Sequence, residues 1–238
     1  MTAAGPWLLV VDTATSSVIV AAGTPGGEVI GSASFPAEHR HGERLLAAID
    51  QLSRDTGLAR ADLAGVIVGT GPGAFTGLRV GLATAKTIAH ELGRPIVGIS
   101  TGEALLAAAG APAGAVLLLP AGPNDRVEVR AGEAPRLQAG QPTGAGAAGA
   151  PAADPASAPK EAVVAVDLDG RAPEAALAAG RRAVDGLAGA LLRLGAARLA
   201  TSATDDVARL VPEYVSMPRG VNEPHDPDGA MAWSSDRR

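Results

Sequence analysis

The 238-residue sequence contains no cysteine, which removes disulfide frameworks, thiolate zinc sites, cysteine nucleophiles and iron–sulfur ligation from consideration. Aromatic residues are almost as scarce: two Trp, two Phe and one Tyr make up 2% of the chain, so a core must be built from Leu, Val, Ile and Ala. Basic charge is also short. Twenty Lys and Arg face 25 Asp and Glu, for a net charge of −5. Such a chain lacks the basic surface that displaces counterions from nucleic acid, and contact with RNA would need a basic partner. The first apolar run, Trp7 to Val11, has no basic stretch before it and is cut by Asp12, so it fails as a signal peptide or a membrane span. These absences favour a soluble, cytoplasmic protein.

What is present is enough for a folded core, since 47% of the residues are hydrophobic. The 18 prolines gather in stretches that read as linkers, which points to two small lobes. Trp7 to Asp12, Val18 to Ala22 and Glu28 to Phe35 read as three strands of an antiparallel meander, with a Pro25-Gly26-Gly27 turn between the last two. Leu45, Leu46, Ile49 and Leu52 have helical spacing, and Gly57 stands where a helix ends. After a short strand at Val66 to Val68, the residues Leu78, Leu82, Ala85, Ala89 and Leu92 mark a long helix stopped by Gly93 and Pro95. Ile96 to Ile99 is a further strand, and Ser100-x-x-Glu103 reads as a capping box for the helix that follows.

A smaller lobe is expected beyond, with strands at Val116 to Leu119, Val127 to Val129 and Ala162 to Val166. Ala131 to Lys160 is Ala/Gly/Pro-rich without period and reads as a mobile loop. Pro173 to Leu194 reads as a helix broken by Gly180, Gly186 and Gly189, and the tail past Val215 as disordered. The expected division is 1–110 for the first lobe and 111–215 for the second, with a loop at 131–160 and a tail at 216–238.

Two turns carry the candidate chemistry. Asp12-Thr13-Ala14-Thr15-Ser16-Ser17 puts a carboxylate and several hydroxyls between two strands, which suits a metal–phosphate contact and equally suits an Asx or Ser/Thr turn. Gly69 to Gly73 runs from a strand end toward a helix and exposes backbone N–H groups that could cradle a phosphate. No Gly-Lys-Ser/Thr follows, so it is not a Walker A loop, and no acidic residue ends the next strand as a dinucleotide site requires. Gly77, Gly81 and Ala85 form a small-residue stripe, and close helix packing is favoured over phosphate binding. The candidate nucleotide-binding residues are Asp12, Thr15, Ser16, Gly71 and Gly73. His39, His41 and Glu43 are read as a solvated helix entrance rather than metal ligands. No Ser–His–Asp or two-carboxylate constellation can be assembled, so no catalytic residue is assigned.

Three stretches together carry a resemblance: Asp12-Thr13-Ala14-Thr15, His41-Gly42-Glu43-Arg44-Leu45-Leu46, and Gly71-Pro72-Gly73-Ala74-Phe75-Thr76-Gly77-Leu78-Arg79-Val80-Gly81-Leu82-Ala83-Thr84-Ala85-Lys86. They resemble the TsaB (YeaZ) family of the tRNA threonylcarbamoyladenosine pathway, over the first half of the chain and again at Pro212-Glu213-Tyr214. Gly42, Ala14 and Ala74 stand where the family usually has Ser or a similar residue, and Gly122 to Val129 matches its Asp-Ala-Arg-Arg-Gly-Glu-Val-Tyr segment only loosely.

The resemblance implies an α/β, actin-like (ASKHA, ribonuclease H-like) two-lobed fold. It implies a subunit without catalysis of its own that supports the transferase TsaD together with the ATPase TsaE, pairs with itself when alone, and meets tRNA only through the complex. The catalytic paralogue places two metal-binding His where this chain has Thr101 and Leu105, so no metal is expected. No cofactor is required of the subunit, with ATP allowed at it or at its complex. Pairing in the family uses the helices that correspond to Glu43 to Leu52 and Thr76 to Leu92. The expected interface is therefore Glu43, Leu45, Leu46, Ile49, Thr76, Gly77, Leu78, Gly81, Leu82 and Ala85, and Gly77→Leu or Leu78→Asp is expected to break pairing without unfolding the chain. The competing reading is an independent ATP-binding phosphotransferase, ATPase or peptidase-like enzyme of the same superfamily.

Overall fold

Strand β1 (Trp7–Asp12) is buried along its whole length because both of its faces are covered. Leu8 and Val10 point into one apolar cluster, and Trp7, Leu9 and Val11 into another. A strand covered on both sides needs apolar residues at every position, which is why WLLVV shows no alternation. The computed structural model describes residues 5–37, 41–139 and 162–215. The expected tail at 216–238 and residues 140–160 of the expected loop lie outside the described residues.

β1 sits at the centre of a five-stranded sheet of order β3-β2-β1-β4-β5. It pairs antiparallel with β2 (Ser17–Gly23), which pairs antiparallel with β3 (Val29–Pro36), completing the expected meander. On its other side β1 pairs parallel with β4 (Leu63–Gly69), and β4 pairs parallel with β5 (Ile96–Ile99). Helices α1 (His41–Thr56) and α2 (Phe75–Glu91) cover one face of this sheet, with Leu45, Leu52, Leu82 and Ala85 in the shared core. His41 and Glu43, expected just before the helix, lie within its backbone.

The opposite face is covered by α3 (Thr101–Ala108) and α4 (Glu174–Ala200). These two helices also cover a second sheet of order β8-β7-β6-β9, built from β6 (Val116–Pro120), β7 (Arg126–Val129), β8 (Arg136–Gln138) and β9 (Val163–Ala165). A single apolar cluster therefore runs from Val10 and Ile67 through Leu105, Leu187 and Leu191 to Leu117 and Val127.

Two details differ from the sequence reading, and a third has no counterpart in it. α4 is one unbroken helix of 27 residues, not one broken by glycines. Two of its glycines are close-approach positions: a Cβ at Gly180 would overlap the Ala165 carbonyl, and one at Gly195 would strike the Ile67 side chain. Their helix-propensity cost is offset by the packing they permit. β8 forms within the stretch read as an aperiodic loop, pairing Arg136, Leu137 and Gln138 with β7. Finally, the segment after α4 is ordered along the edge of β5. The Asp205 N–H donates to the Ile96 carbonyl at 2.9 Å, the Gly98 N–H donates to Asp205 Oδ2 at 2.7 Å, and the Glu213 N–H donates to the Thr70 carbonyl at 2.7 Å. This segment occupies an edge that would otherwise expose unpaired backbone groups.

Candidate functional site

The Asp12 to Ser17 turn is held from beneath by α2. Thr13 Oγ1 donates to the Gly77 carbonyl at 2.7 Å, and the Ala74 N–H donates to the Ala14 carbonyl at 2.7 Å. A Cβ at Gly73 would overlap Ala14 O, one at Gly77 would overlap Thr13 O, and one at Gly81 would overlap Thr13 Oγ1. The glycines that looked like a phosphate cradle or a partner face thus allow α2 to press against the chain's own β1–β2 turn.

Asp12 is wholly buried. Its Oδ2 accepts from Thr101 Oγ1 at 2.6 Å and its Oδ1 accepts from the Ala14 N–H at 3.0 Å, the latter an Asx turn. Burial pushes its carboxyl up to about 6, against the opposing pull of those two hydrogen bonds. A Cβ on Gly69 would overlap Asp12 Oδ2, so the residue that ends β4 must be small.

Above this turn lies a cavity of about 490 Å³ between the two sheets. Of the candidate nucleotide residues, Thr15, Ser16 and Gly73 line it, whereas Asp12 and Gly71 lie behind its wall. Leu119, Pro120 and Val127 come to it from the second sheet. Asp167, just after β9, reaches across from that side: its Oδ2 accepts from the Ser16 N–H at 2.7 Å and its Oδ1 from Ser16 Oγ at 2.5 Å. Tyr214 closes another side, with its ring 5.0 Å from that of Phe75. Arg79 lies 4.1 Å over Phe75 and donates to the Tyr214 hydroxyl at 3.1 Å. Nearby, Ser100 Oγ accepts from the Glu103 N–H at 3.4 Å, the expected cap, and donates to the Gly71 carbonyl at 3.2 Å and to Glu213 Oε2 at 3.4 Å. Partial burial raises the Glu213 carboxyl, the Ser100 bond lowers it and Glu103 raises it further.

Sequence reasoning missed Asp167. The signal was positional, because it follows a buried strand directly, as Asp12 ends one.

A second concavity, of about 410 Å³, lies between α1 and α2 and is lined by Leu46, Ile49, Ile88 and Leu92 among others. Leu46 is 56% exposed and Leu92 41% exposed. The residues of the expected interface divide by burial. Leu45, Gly77, Leu78, Gly81, Leu82 and Ala85 are buried against the chain's own sheet and turn and present nothing to a partner. Leu46 and Thr76 are exposed and Ile49 is half-buried, while the Glu43 side chain lies outside the described residues. The apolar stripe of each helix reports the face turned to the core, and partner-facing residues lie beside it.

Among the described residues, no three His, Asp or Glu side chains converge to hold a metal ion. Thr101 is committed to Asp12, and Leu105 is fully buried in the core. His90 is exposed on α2, and His39 and His225 lie outside the described residues. No helix among the described residues is long and apolar enough to cross a membrane.

Two sheets enclosing a helical layer, with a cavity between them where β1 turns into β2, define an actin-like (ASKHA, ribonuclease H-like) α/β protein of two lobes. A solved Pseudomonas aeruginosa structure, described as similar to peptidase YeaZ, superposes with a TM-score of 0.62 at 23% identity, covering 89% of this chain and 100% of that one. The family model described as TsaD, tRNA N6-adenosine threonylcarbamoyltransferase, matches residues 35–153, half of the chain. The tRNA threonylcarbamoyladenosine biosynthesis protein TsaB of Bacillus subtilis is 40% identical over 67 residues, 28% of this chain and 29% of that protein. A Mycobacterium tuberculosis protein of uncharacterized function is 37% identical over 99 residues, 41% of this chain and 47% of its own. The matched stretches thus span less than half the length of these two relatives. The chain belongs to the TsaB (YeaZ) family, within the group that the TsaD model describes.

Proposed function

We propose that the chain is a non-catalytic subunit in the synthesis of tRNA threonylcarbamoyladenosine, and that it docks a TsaD-type transferase through the groove between α1 and α2. The observation that carries this reading is the exposure at that groove of Leu46 on α1 and Leu92 at the C-cap of α2, beside the faces that these helices pack into the core. Covering each half-exposed leucine stabilises a complex by about 1–2 kcal/mol. Such an apolar centre rimmed by Asp50, Arg60 and Glu91 has the make-up of a protein interface.

Family membership supports the pathway. The absence of catalysis is supported by Thr101 and Leu105, which are engaged in structure where the paralogue's metal-binding His would fall. In this reading the lobes are 1–110 and 111–215; α4 packs against strands of both sheets. In this reading the ATPase TsaE joins the assembly, the subunit needs no resident cofactor, ATP enters at the subunit or at the complex, and tRNA meets the complex through more basic partners. The same groove closes a homodimer when the transferase is absent. The protein acts in the cytoplasm.

The test is size-exclusion chromatography with light scattering of the chain alone, with the TsaD protein of the same cell, and with TsaD plus TsaE and ATP. A stable heterodimer supports the reading, and no complex under any condition overturns it.

A further inference from the structure

Ser16 presents its backbone N–H and its hydroxyl side by side at the cavity wall, and both are taken by the two oxygens of one carboxylate, that of Asp167. A pair of donors held this way is what a phosphate or carboxylate ligand engages. A second attraction for anions opens on the same cavity. α2 begins there at Phe75, its N-cap is Ala74 with no side-chain cap, and its first turn carries no acidic residue. Unsatisfied N–H groups at such an end favour negative charge.

Against this, Asp167 is the one charged side chain among the described residues lining the cavity. The nearby cation, Arg79, is turned onto Phe75 and the Tyr214 hydroxyl. Asp167 also holds an unusual backbone conformation, with φ at +57°, a region that Asp and Asn enter more readily than other side chains but still at a cost. That conformation belongs to the residue that carries the carboxylate across to Ser16.

We propose that Asp167 is a built-in anion: it occupies the donors of the β1–β2 turn in cis, fastens the second sheet to that turn, and keeps phosphate-bearing ligands out of the cavity. The inference is independent of the partner assignment, and of the two places allowed for ATP it leaves the complex rather than this cavity of the subunit. It explains how an actin-like fold can keep a cavity and a donor-rich turn while leaving no vacancy for an anion.

The experiment titrates inorganic pyrophosphate into the full chain and follows the Ser16 amide by ¹H–¹⁵N NMR, with sodium chloride at matched ionic strength as control. Asp167→Asn keeps the shape and removes the charge. Asp167→Gly removes the side chain and accepts the positive φ, so one variant stays informative if the other fails to fold, as judged by the remaining amide spectrum. The expected result is no saturable shift in the wild type and saturable pyrophosphate-specific binding in the folded variants, stronger by about tenfold or more. Equal binding by wild type and variants overturns the proposal, because the carboxylate then excludes nothing. No binding by any of them overturns it too, because no anion site then lies beneath Asp167.

Discussion

Thr101 Oγ1 donates a 2.6 Å hydrogen bond to the wholly buried carboxylate of Asp12, joining the first residue of α3 to the last residue of β1. The same hydroxyl accepts from the Gly71 N–H at 3.2 Å, so one side chain fixes a strand end, a helix start and the glycine turn together. Thr101→Val leaves a buried carboxylate oxygen without its partner, and unfolding free energy should fall by about 1–3 kcal/mol. Chemical denaturation checks this, and a loss below a few tenths would show that the bond is not stabilising.

The same carboxylate gives stability a pH dependence. Its folded value of about 6 lies above its ordinary 3.8, so the folded state binds the extra proton. Asp12 therefore contributes its full stability below about pH 4 and loses it as pH rises through 6. Asp12→Asn carries no titrating group there and should remove that slope, which amounts to about 3 kcal/mol at most between pH 4 and 7. Denaturant midpoints measured from pH 4 to 7 decide it, and parallel profiles for the two proteins would contradict the assignment.

Gly77→Leu was expected from sequence to break partner binding alone. The overlap of its Cβ with the Thr13 carbonyl instead predicts a folding defect, with a loss of about 3 kcal/mol or more. In a chain of this size that lowers Tm by roughly 6–12 °C. An unchanged Tm in a thermal melt would mean that α2 can shift away from the turn.

The segment after α4 supplies a further test. Asp205 accepts from the Gly98 N–H and pairs with Arg198 at 3.1 Å, beside the edge of β5. Asp205→Ala should speed hydrogen exchange at the Gly98 amide by about tenfold and leave the Val66 to Val68 amides unaffected. Uniform acceleration throughout the sheet would show that the segment supports the whole fold rather than the edge.

The central sheet was legible in the sequence because its strands are apolar runs bounded by Gly, Pro and Asp, and its helices show clear periods. Features that lack such a pattern were not. β8 is exposed at all three positions, so it has no buried face to generate alternation. α4 carries Gly180 against the Ala165 carbonyl and Gly195 against the Ile67 side chain, and a glycine needed for contact looks in sequence like a glycine that ends a helix. The candidate site was half legible: Thr15, Ser16 and Gly73 line the cavity, but Asp167 reaches Ser16 across 151 positions, a pairing no local spacing encodes. The expected interface includes Leu78, Leu82 and Ala85, which are buried, because helical periodicity reveals what a helix buries in its own fold.

The central claim is docking through the α1–α2 groove, and isothermal titration of the TsaD-type transferase with wild type and Leu46→Asp tests it most directly. Leu46 is 56% exposed, so the variant should keep its fold and its Tm. The account predicts that affinity falls by about thirtyfold or more, about 2 kcal/mol, as for a residue at the centre of an interface. Unchanged affinity in a folded Leu46→Asp chain would contradict it.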